Sequence, residues 1–304
     1  MKEFNISKQF MPAFKPEFIL GTVQLGLKYG VQNQNQSEWV GAADRISILE
    51  RAHQLGIRSL DTANNYGESQ NFIGGFPGKK DFKILSKFIL SEEFPQVKIH
   101  FQKAIQSLGV PNLESFSFHR FDDIYNYPQA LSELVQLKEK GLIKNIGVSL
   151  YSNAQMEKVL KIPEIKIIQF PFNVLDNFSQ RSVALKKAID AKKVLHVRSA
   201  YLQGLLLMAV DQIPQTLQSV VPAIKKLQQI ALRSKISMGS LCLGYILQQN
   251  LFSGLVIGVD HPDQLSINFQ DYIGASHTEI DLDEINKINV DDVRILDPSQ
   301  WGSL

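Results

Sequence analysis

Along this chain, short apolar runs alternate with longer stretches in which apolar residues recur every three or four positions. The first kind reads as buried strand and the second as amphipathic helix, since side chains repeat every two residues along a strand and every 3.6 along a helix. Strands are predicted at Phe18 to Val23, through Leu60 to Asp61, and at Phe82 to Lys87, Ser115 to His119, Ile143 to Ser149, Ile165 to Phe170, Val194 to Ser199 and Leu255 to Ile257. The first helix carries Ile46, Leu49, Ala52, His53 and Leu55 and stops at Gly56, and a short one covers Glu68 to Ile73. Another carries Val97, Phe101, Ala104, Ile105 and Leu108 and ends at Gly109. A fourth runs from Gln129 to Lys140 before Gly141, and the next starts with Ser152 or Asn153 as N-cap. A helix also links the sixth and seventh strands. The longest connection, from the seventh strand to the eighth, holds two helices, one with Ile224, Leu227, Ile230 and Ala231 and one near Leu241 to Leu247. Pro262 suits the first turn of a short helix reaching Asn268.

Eight apolar strands alternating with helices imply a closed parallel barrel, because parallel strands need helical crossovers and covered faces. The expected fold class is α/β, a single (β/α)8 TIM barrel of parallel strands forming one domain over residues 1–304. An N-terminal arm or hairpin precedes it over residues 1 to about 16, a polar loop spans Gly26 to Gln36, and a C-terminal tail adds a helix with Leu282, Ile285 and Ile288 before Trp301 packs down.

Active sites of such barrels are built at the carboxyl ends of the strands, and three of the predicted strands stop at a titratable residue. Asp61 ends one, with Tyr66 five residues on; Lys87 ends the next and His119 the one after. Taken singly, each has a bland reading as half-buried surface tyrosine, solvated lysine or hydrogen-bonded histidine. Jointly they can converge on one rim. A free tyrosine, with a pKa of about 10, needs an adjacent cation and a low-dielectric site to exchange a proton near neutrality. Lys87 can supply that cation, Asp61 can pair with Lys87, and His119 can orient a substrate carbonyl oxygen toward Tyr66. A lyase or isomerase using Lys87 as Schiff-base nucleophile fits the same residues.

The ordered set resembles the aldo-keto reductase superfamily. Asp61-Thr62-Ala63-Asn64-Asn65-Tyr66-Gly67 looks like that family's signature, with Lys87 and His119 on its remaining catalytic positions. The likeness runs from Gly21-Thr22-Val23-Gln24-Leu25-Gly26 through Ile146-Gly147-Val148-Ser149 and Gln169 to Ile257-Gly258 and Asn268. It implies an NAD(P)H-dependent enzyme that reduces an aldehyde or ketone with Tyr66 as proton donor. The alternative is an accessory subunit that keeps the cofactor with little turnover.

The resemblance also accounts for the lack of a Gly-x-Gly-x-x-Gly fingerprint, since the family lays its nicotinamide cofactor across the barrel mouth. It implies that Ser149 and Gln169 hold the carboxamide, that Gly21 and Thr22 lie against the cofactor, and that Arg198 stacks on the ring, as a guanidinium plane can. Leu150 stands where the family often has Asn. Ser199, Tyr201, Gln203, Gly204 and Leu205 resemble its pyrophosphate loop. Gly258 and Gln264, placed by alignment on Asn268, replace the Lys and Arg that many members set against the 2′-phosphate of NADPH. Asp260 and Asp263 lie beside them, so weak discrimination between NADPH and NADH is expected. Candidate substrate-binding residues are Tyr29, Asn65, Arg120 with Phe121, and Tyr151. The segment Leu25 to Gly30 is similar to relatives associated with surface-carbohydrate synthesis, which points to a sugar or nucleotide-sugar carbonyl.

Composition narrows the remaining choices. With 44% apolar and 20% charged residues and a net charge of +2, nothing favours nucleic acid or an acidic membrane as partner, and the partner that the resemblance implies is a small-molecule carbonyl substrate. Cys242 is the only cysteine, which excludes an intrachain disulfide and any metal site of several thiolates; no metal is expected. No apolar run reaches the roughly 20 residues of a membrane span, and Met1 to Phe10 lacks a signal-peptide core, so a cytoplasmic protein is expected.

Overall fold

The computed structural model describes residues 15–30, 41–275 and 278–303. Strands β1 (Glu17–Gly21), β2 (Ser59–Asp61), β3 (Lys83–Phe88), β4 (Leu113–Phe118), β5 (Ile143–Ser149), β6 (Ile165–Pro171), β7 (Val194–Arg198) and β8 (Gly254–Gly258) close into a barrel in sequence order. Every neighbouring pair is parallel, and β1 meets β8 through Phe18 beside Leu255 and Gly21 beside Gly258. The predicted N-terminal arm and the far part of the predicted Gly26 to Gln36 loop fall largely outside the described residues.

Helices form where the 3.6 periodicity placed them. Val97–Leu108 buries Val97, Phe101, Ala104 and Leu108, then ends at Gly109 with φ of 61°, a left-handed conformation that glycine adopts without a Cβ penalty. Of the two proposed N-caps, Ser152 is the one used: its hydroxyl accepts from the Gln155 N–H and the Gln155 side chain returns the bond, a capping box opening Asn153–Val159. Phe178–Asp190 links β6 to β7. Between β3, β4 and helix Val97–Leu108 the core is aromatic, with Phe88 4.6 Å from Phe116 and 5.1 Å from Phe118.

The connection from β7 to β8 is more elaborate than predicted. Its two helices are present as Val221–Arg233 and Met238–Leu247, but three 3-10 segments, Leu202–Leu207, Val210–Gln212 and Gln215–Val220, precede them. A short helix, Asp123–Asn126, also follows β4 unforeseen. Four and six residues are too few to show a hydrophobic period, which is why the pattern did not reveal them. Beyond β8, helix Pro262–Ala275 outruns its expected end at Asn268. The tail helix is confined to Leu282–Asn286 and is pinned by Asn177, whose Nδ2 donates to Ile288 O at 3.2 Å. Trp301 packs on the core and donates from Nε1 to Ile295 O at 2.9 Å. No single described helix is long and apolar enough to cross a membrane.

Candidate active site at the carboxyl end of the barrel

The end of β2 is built to hold its acid rigidly. Beyond Asp61 the chain stays against β3, with Thr62 N–H donating to Leu85 O and Asn64 N–H to Lys87 O, both at 2.9 Å. It then turns, and Gly26 and Gly67 let the β1 loop pack against the turn carrying Tyr66. A Cβ on Gly26 would sit 1.7 Å from Tyr66 O, and one on Gly67, at φ of 52°, 2.3 Å from Gly26 O. Thr22 fastens the same corner, its hydroxyl donating to Asp61 O at 2.9 Å and accepting from Ser69 Oγ at 2.8 Å. Thr22 thus lines the mouth yet is buried by this network.

At the centre lies a buried ion pair, with Asp61 4% and Lys87 2% exposed. Lys87 Nζ donates to Asp61 Oδ1, and also to Thr62 O at 3.3 Å. Gln169 Nε2 donates to the other carboxylate oxygen at 2.7 Å, so both oxygens are satisfied. Burial lowers the Lys87 pKa, against the pull of Asp61. Lys87 stands 5.4 Å from the centre of the Tyr66 ring without bonding its hydroxyl. Burial first, then the charge of Asp61, push the Tyr66 pKa well above the usual tyrosine value. His119 meets Tyr66 edge-on, ring centres 5.4 Å apart at 78°, with Nδ1 2.8 Å from Asn65 Oδ1. Burial, helped by the positive charges of Lys87, Arg198 and Arg120, pushes the His119 pKa down to about 3, so its ring is neutral.

Beside this cluster opens a cavity of about 400 Å³ between the ends of β1, β7 and β8. Tyr66 and Asp61 face it, as do Gly21, Thr22, Gln169, Arg198, Ser199, Tyr201, Gln203, Gly204, Gly258, Gln264 and Asn268 from the expected cofactor set. Ser149 does not line it; it is buried in β5, in register with Gln169. Arg198 is the only lysine or arginine lining the cavity among the described residues, and no described carboxylate pairs with it. Its guanidinium lies 4.4 Å from the Tyr151 ring centre.

The expected substrate residues scatter. Tyr29 lines the main cavity and accepts from Gln203 Nε2 at 2.9 Å, tying the β1 loop to the β7 loop. Tyr151 lies under Arg198, its carbonyl held at 2.8 Å by Arg181, which is itself bound to the buried Asp176. Asn65 separates His119 from a smaller apolar cavity of about 190 Å³ beside Ile89, Phe94 and Ile99. Arg120 is not brought to either cavity: its guanidinium is bound to Leu90 O and, at 3.0 Å, to Asp123.

Sequence reasoning missed Gln24, whose side-chain amide fills the space over Gly258 within 2.7 Å of where a Cβ would stand. It also missed the backbone of the β7 loop, where Ser199, Leu202, Gln203 and Gly204 all have positive φ, between 48° and 93°. Gly204 alone carried a signal in the sequence. Such clusters of left-handed residues mark functional loops.

Comparison with known proteins accords with this geometry. The model of the Aldo/keto reductase family matches residues 17–290. L-glyceraldehyde 3-phosphate reductase of Escherichia coli (strain K12) is 22% identical over 88% of each chain. The aldo-keto reductase YhdN of Bacillus subtilis (strain 168) is 27% identical over 55% of this chain and 56% of its own. Among solved structures, aldo-keto reductase AKR11C1 from Bacillus halodurans in its holo form superposes with a TM-score of 0.70 at 18% identity, over 90% of this chain and 91% of that one. The glycerol dehydrogenase AKR11B4 from Gluconobacter oxydans gives 0.67 at 19% identity, over 91% and 94%.

Proposed function

The chain belongs to the aldo/keto reductase family, oxidoreductases that generally use NAD(P)H on small-molecule carbonyls, and from that premise we propose that it reduces an aldehyde or ketone with Tyr66 as the proton donor. The observation that carries this reading is Tyr66 facing a cavity directly beside a fully satisfied Asp61, Lys87 and Gln169 cluster. The cavity lining suits a nicotinamide dinucleotide, since the half-buried Arg198 lies in its wall with no described carboxylate in ion-pair contact and favours an anion there. Gly21, Gln169, the β7 loop from Ser199 to Gly204, and Gly258 with Gln264 and Asn268 would hold it. When bound, that group supplies a hydride to the carbonyl carbon.

The protein's own part is acid catalysis. Tyr66 donates a hydrogen bond to the carbonyl oxygen and gives up its proton as negative charge develops there. Lys87, 5.4 Å from the ring centre, then favours the resulting phenolate electrostatically, while Asp61 keeps Lys87 charged and fixed. A Schiff-base role for Lys87 is disfavoured because its amine is buried and bound to Asp61. The substrate class we propose is a sugar or nucleotide-sugar carbonyl, supported by the polar, aromatic mouth with Tyr29, Arg198 and Tyr151 and by the hydroxylated aldehyde in the name of one relative.

Tyr66→Phe tests the assignment, because it keeps the ring and removes the acid. Fluorescence titration should find cofactor affinity within about threefold of wild type, while single-turnover reduction falls by at least about a hundredfold. Near-normal turnover would sink the proton-donor role. Cofactor binding with no substrate-dependent oxidation in wild type would favour the accessory-subunit reading.

A further inference from the structure

The charges around Tyr66 do not cancel. Asp61 is answered by Lys87, and the buried Asp176 by Arg181, so these four are neutral in pairs. Arg198, the last residue of β7, is in ion-pair contact with no described carboxylate: its guanidinium rests on the Tyr151 ring at 4.4 Å and donates to Ser199 Oγ at 3.3 Å, both neutral partners. The remaining charged residue of the cavity wall, Asp260, lies beyond the end of β8, and the formal charges acting on Tyr66 are those of Asp61 and Arg198. Burial comes first in lowering the pKa values of Lys87 and His119, and the charge of Arg198 adds to it in both. At Tyr66, whose pKa burial raises, Arg198 acts in the opposite direction. In all three its field favours the less positive form of the group.

We infer that Arg198 makes this site discriminate between the two redox states of a nicotinamide cofactor, holding the reduced form and disfavouring the oxidised one. The inference rests on the reading of the cavity as a cofactor site. A ring that gives hydride to the carbonyl served by Tyr66 must lie beside Tyr66, and Tyr66 and Arg198 line one cavity of about 400 Å³. Groups so confined lie within roughly the 8 to 10 Å over which salt leaves a field largely unscreened. The reduced ring is neutral, whereas the oxidised ring carries a full positive charge, and like charges at such separations repel in a half-buried site. Pyrophosphate and ribose are common to both forms, so any attraction that Arg198 offers them cancels from the ratio of the two affinities. The oxidised product then leaves readily instead of competing with incoming reduced cofactor, which suits the protein to reduction.

Fluorescence titration gives Kd for NADH, and displacement of NADH by NAD+ gives Kd for the oxidised form; NADPH and NADP+ are compared in the same way. In wild type the reduced form of each pair should bind at least about tenfold more tightly than the oxidised form. Arg198→Met keeps a long unbranched side chain and removes the charge, so the oxidised-to-reduced ratio of Kd values should fall about tenfold, while Arg198→Lys should keep most of it. Arg198→Gln serves as the neutral variant if Arg198→Met does not fold. A merely structural role for Arg198 would weaken both forms alike and leave the ratio unmoved, which would overturn the proposal. Equal binding of the two forms by wild type would overturn it too, as would an Arg198→Lys ratio no higher than that of the neutral variants. Failure of wild type to bind any of the four at millimolar concentration would remove the cofactor reading itself, whereas firm binding with a ratio independent of residue 198 would remove the redox discrimination alone.

Discussion

The two halves of the barrel mouth are built on opposite principles. On the β2 and β3 side, side chains do the work and each buried one is answered by another: Asp61 by Lys87 and Gln169, Thr22 by Ser69 and the Asp61 backbone. On the β7 and β8 side the wall is largely backbone, shaped by left-handed residues and glycines, with the cation Arg198 unmatched by any described carboxylate. The first half is closed on itself, and the second is open to a ligand. Fixed, desolvated groups suit proton transfer, whereas an unsatisfied cation and an accessible backbone suit an anion.

The largest effect should come from breaking the answered half at its centre. Lys87→Met leaves the Asp61 carboxylate buried with Gln169 as its only side-chain partner, which should cost about 3 to 5 kcal/mol in urea unfolding. Turnover should fall at least about a hundredfold. Adding Asp61→Asn removes the stranded charge, so the double variant should regain part of the stability while losing little further activity. A double variant whose stability losses simply add would show that the two residues are not one unit.

Glycine substitutions compare the halves directly. Gly26→Ala would place a methyl 1.7 Å from Tyr66 O and 2.6 Å from Ser69 N, both backbone atoms, so the loop must shift at a cost of about 3 kcal/mol or more. Gly204 has φ of 93° but nothing within 4 Å of an added Cβ, and Gly204→Ala should cost only about 1 kcal/mol. Equal losses of melting temperature in the two variants would contradict the contrast between a packed half and an open one.

That contrast also explains what was legible in the sequence. Asp61, Tyr66, Lys87 and His119 carry distinctive chemistry on side chains at strand ends, and strand ends follow from hydrophobic period. The hydrogen bond from Gln169 to Asp61 was not legible, because a glutamine on a strand says nothing of which carboxylate it meets across the barrel. Nor was the left-handed backbone at Leu202, since leucine gives no local cue to positive φ. Arg120 misled for a related reason: sequence placed it next to His119, but the salt bridge to Asp123 three residues later turns it away.

Buried titratable groups differ between the halves as well. His196 on β7 is 7% exposed, and its Nδ1 has no hydrogen-bond partner among the described residues. Burial pushes its pKa from 6.5 down to about 4. The unfolded chain therefore binds more protons than the folded one below pH 6.5, so stability falls as pH drops from 6.5 toward 4, by roughly 2 to 3 kcal/mol for this group. His119 acts in the same direction down to about pH 3. His196→Leu should flatten the unfolding free energy against pH between 6.5 and 4, relative to wild type. An unchanged slope would mean that His196 is not charge-excluded.

The smallest effect concerns the choice of cofactor, since Arg198 is the only lysine or arginine lining the open half among the described residues. A lysine at Gly258 is a poor test of this, because its Cβ would meet the Gln24 side-chain amide at 2.5 Å. Gln264 offers a cleaner position on helix Pro262–Ala275, where its Oε1 accepts from Asp260 N–H at 2.9 Å. The helix N-terminus and backbone donors can attract a 2′-phosphate without a charged side chain, and Asp260 and Asp263 oppose it. Wild type should therefore bind NADPH and NADH within about tenfold of each other. Gln264→Arg adds one charge-assisted contact, about 1.5 to 3 kcal/mol, and should move the ratio toward NADPH by roughly tenfold or more. It forfeits the bond to Asp260, a loss of about 1 kcal/mol that appears in stability rather than in the ratio of affinities. A wild-type preference for NADPH above about a thousandfold, some 4 kcal/mol, would require a cation other than Arg198 at the 2′ position, and the open half would then be as fully answered as its neighbour.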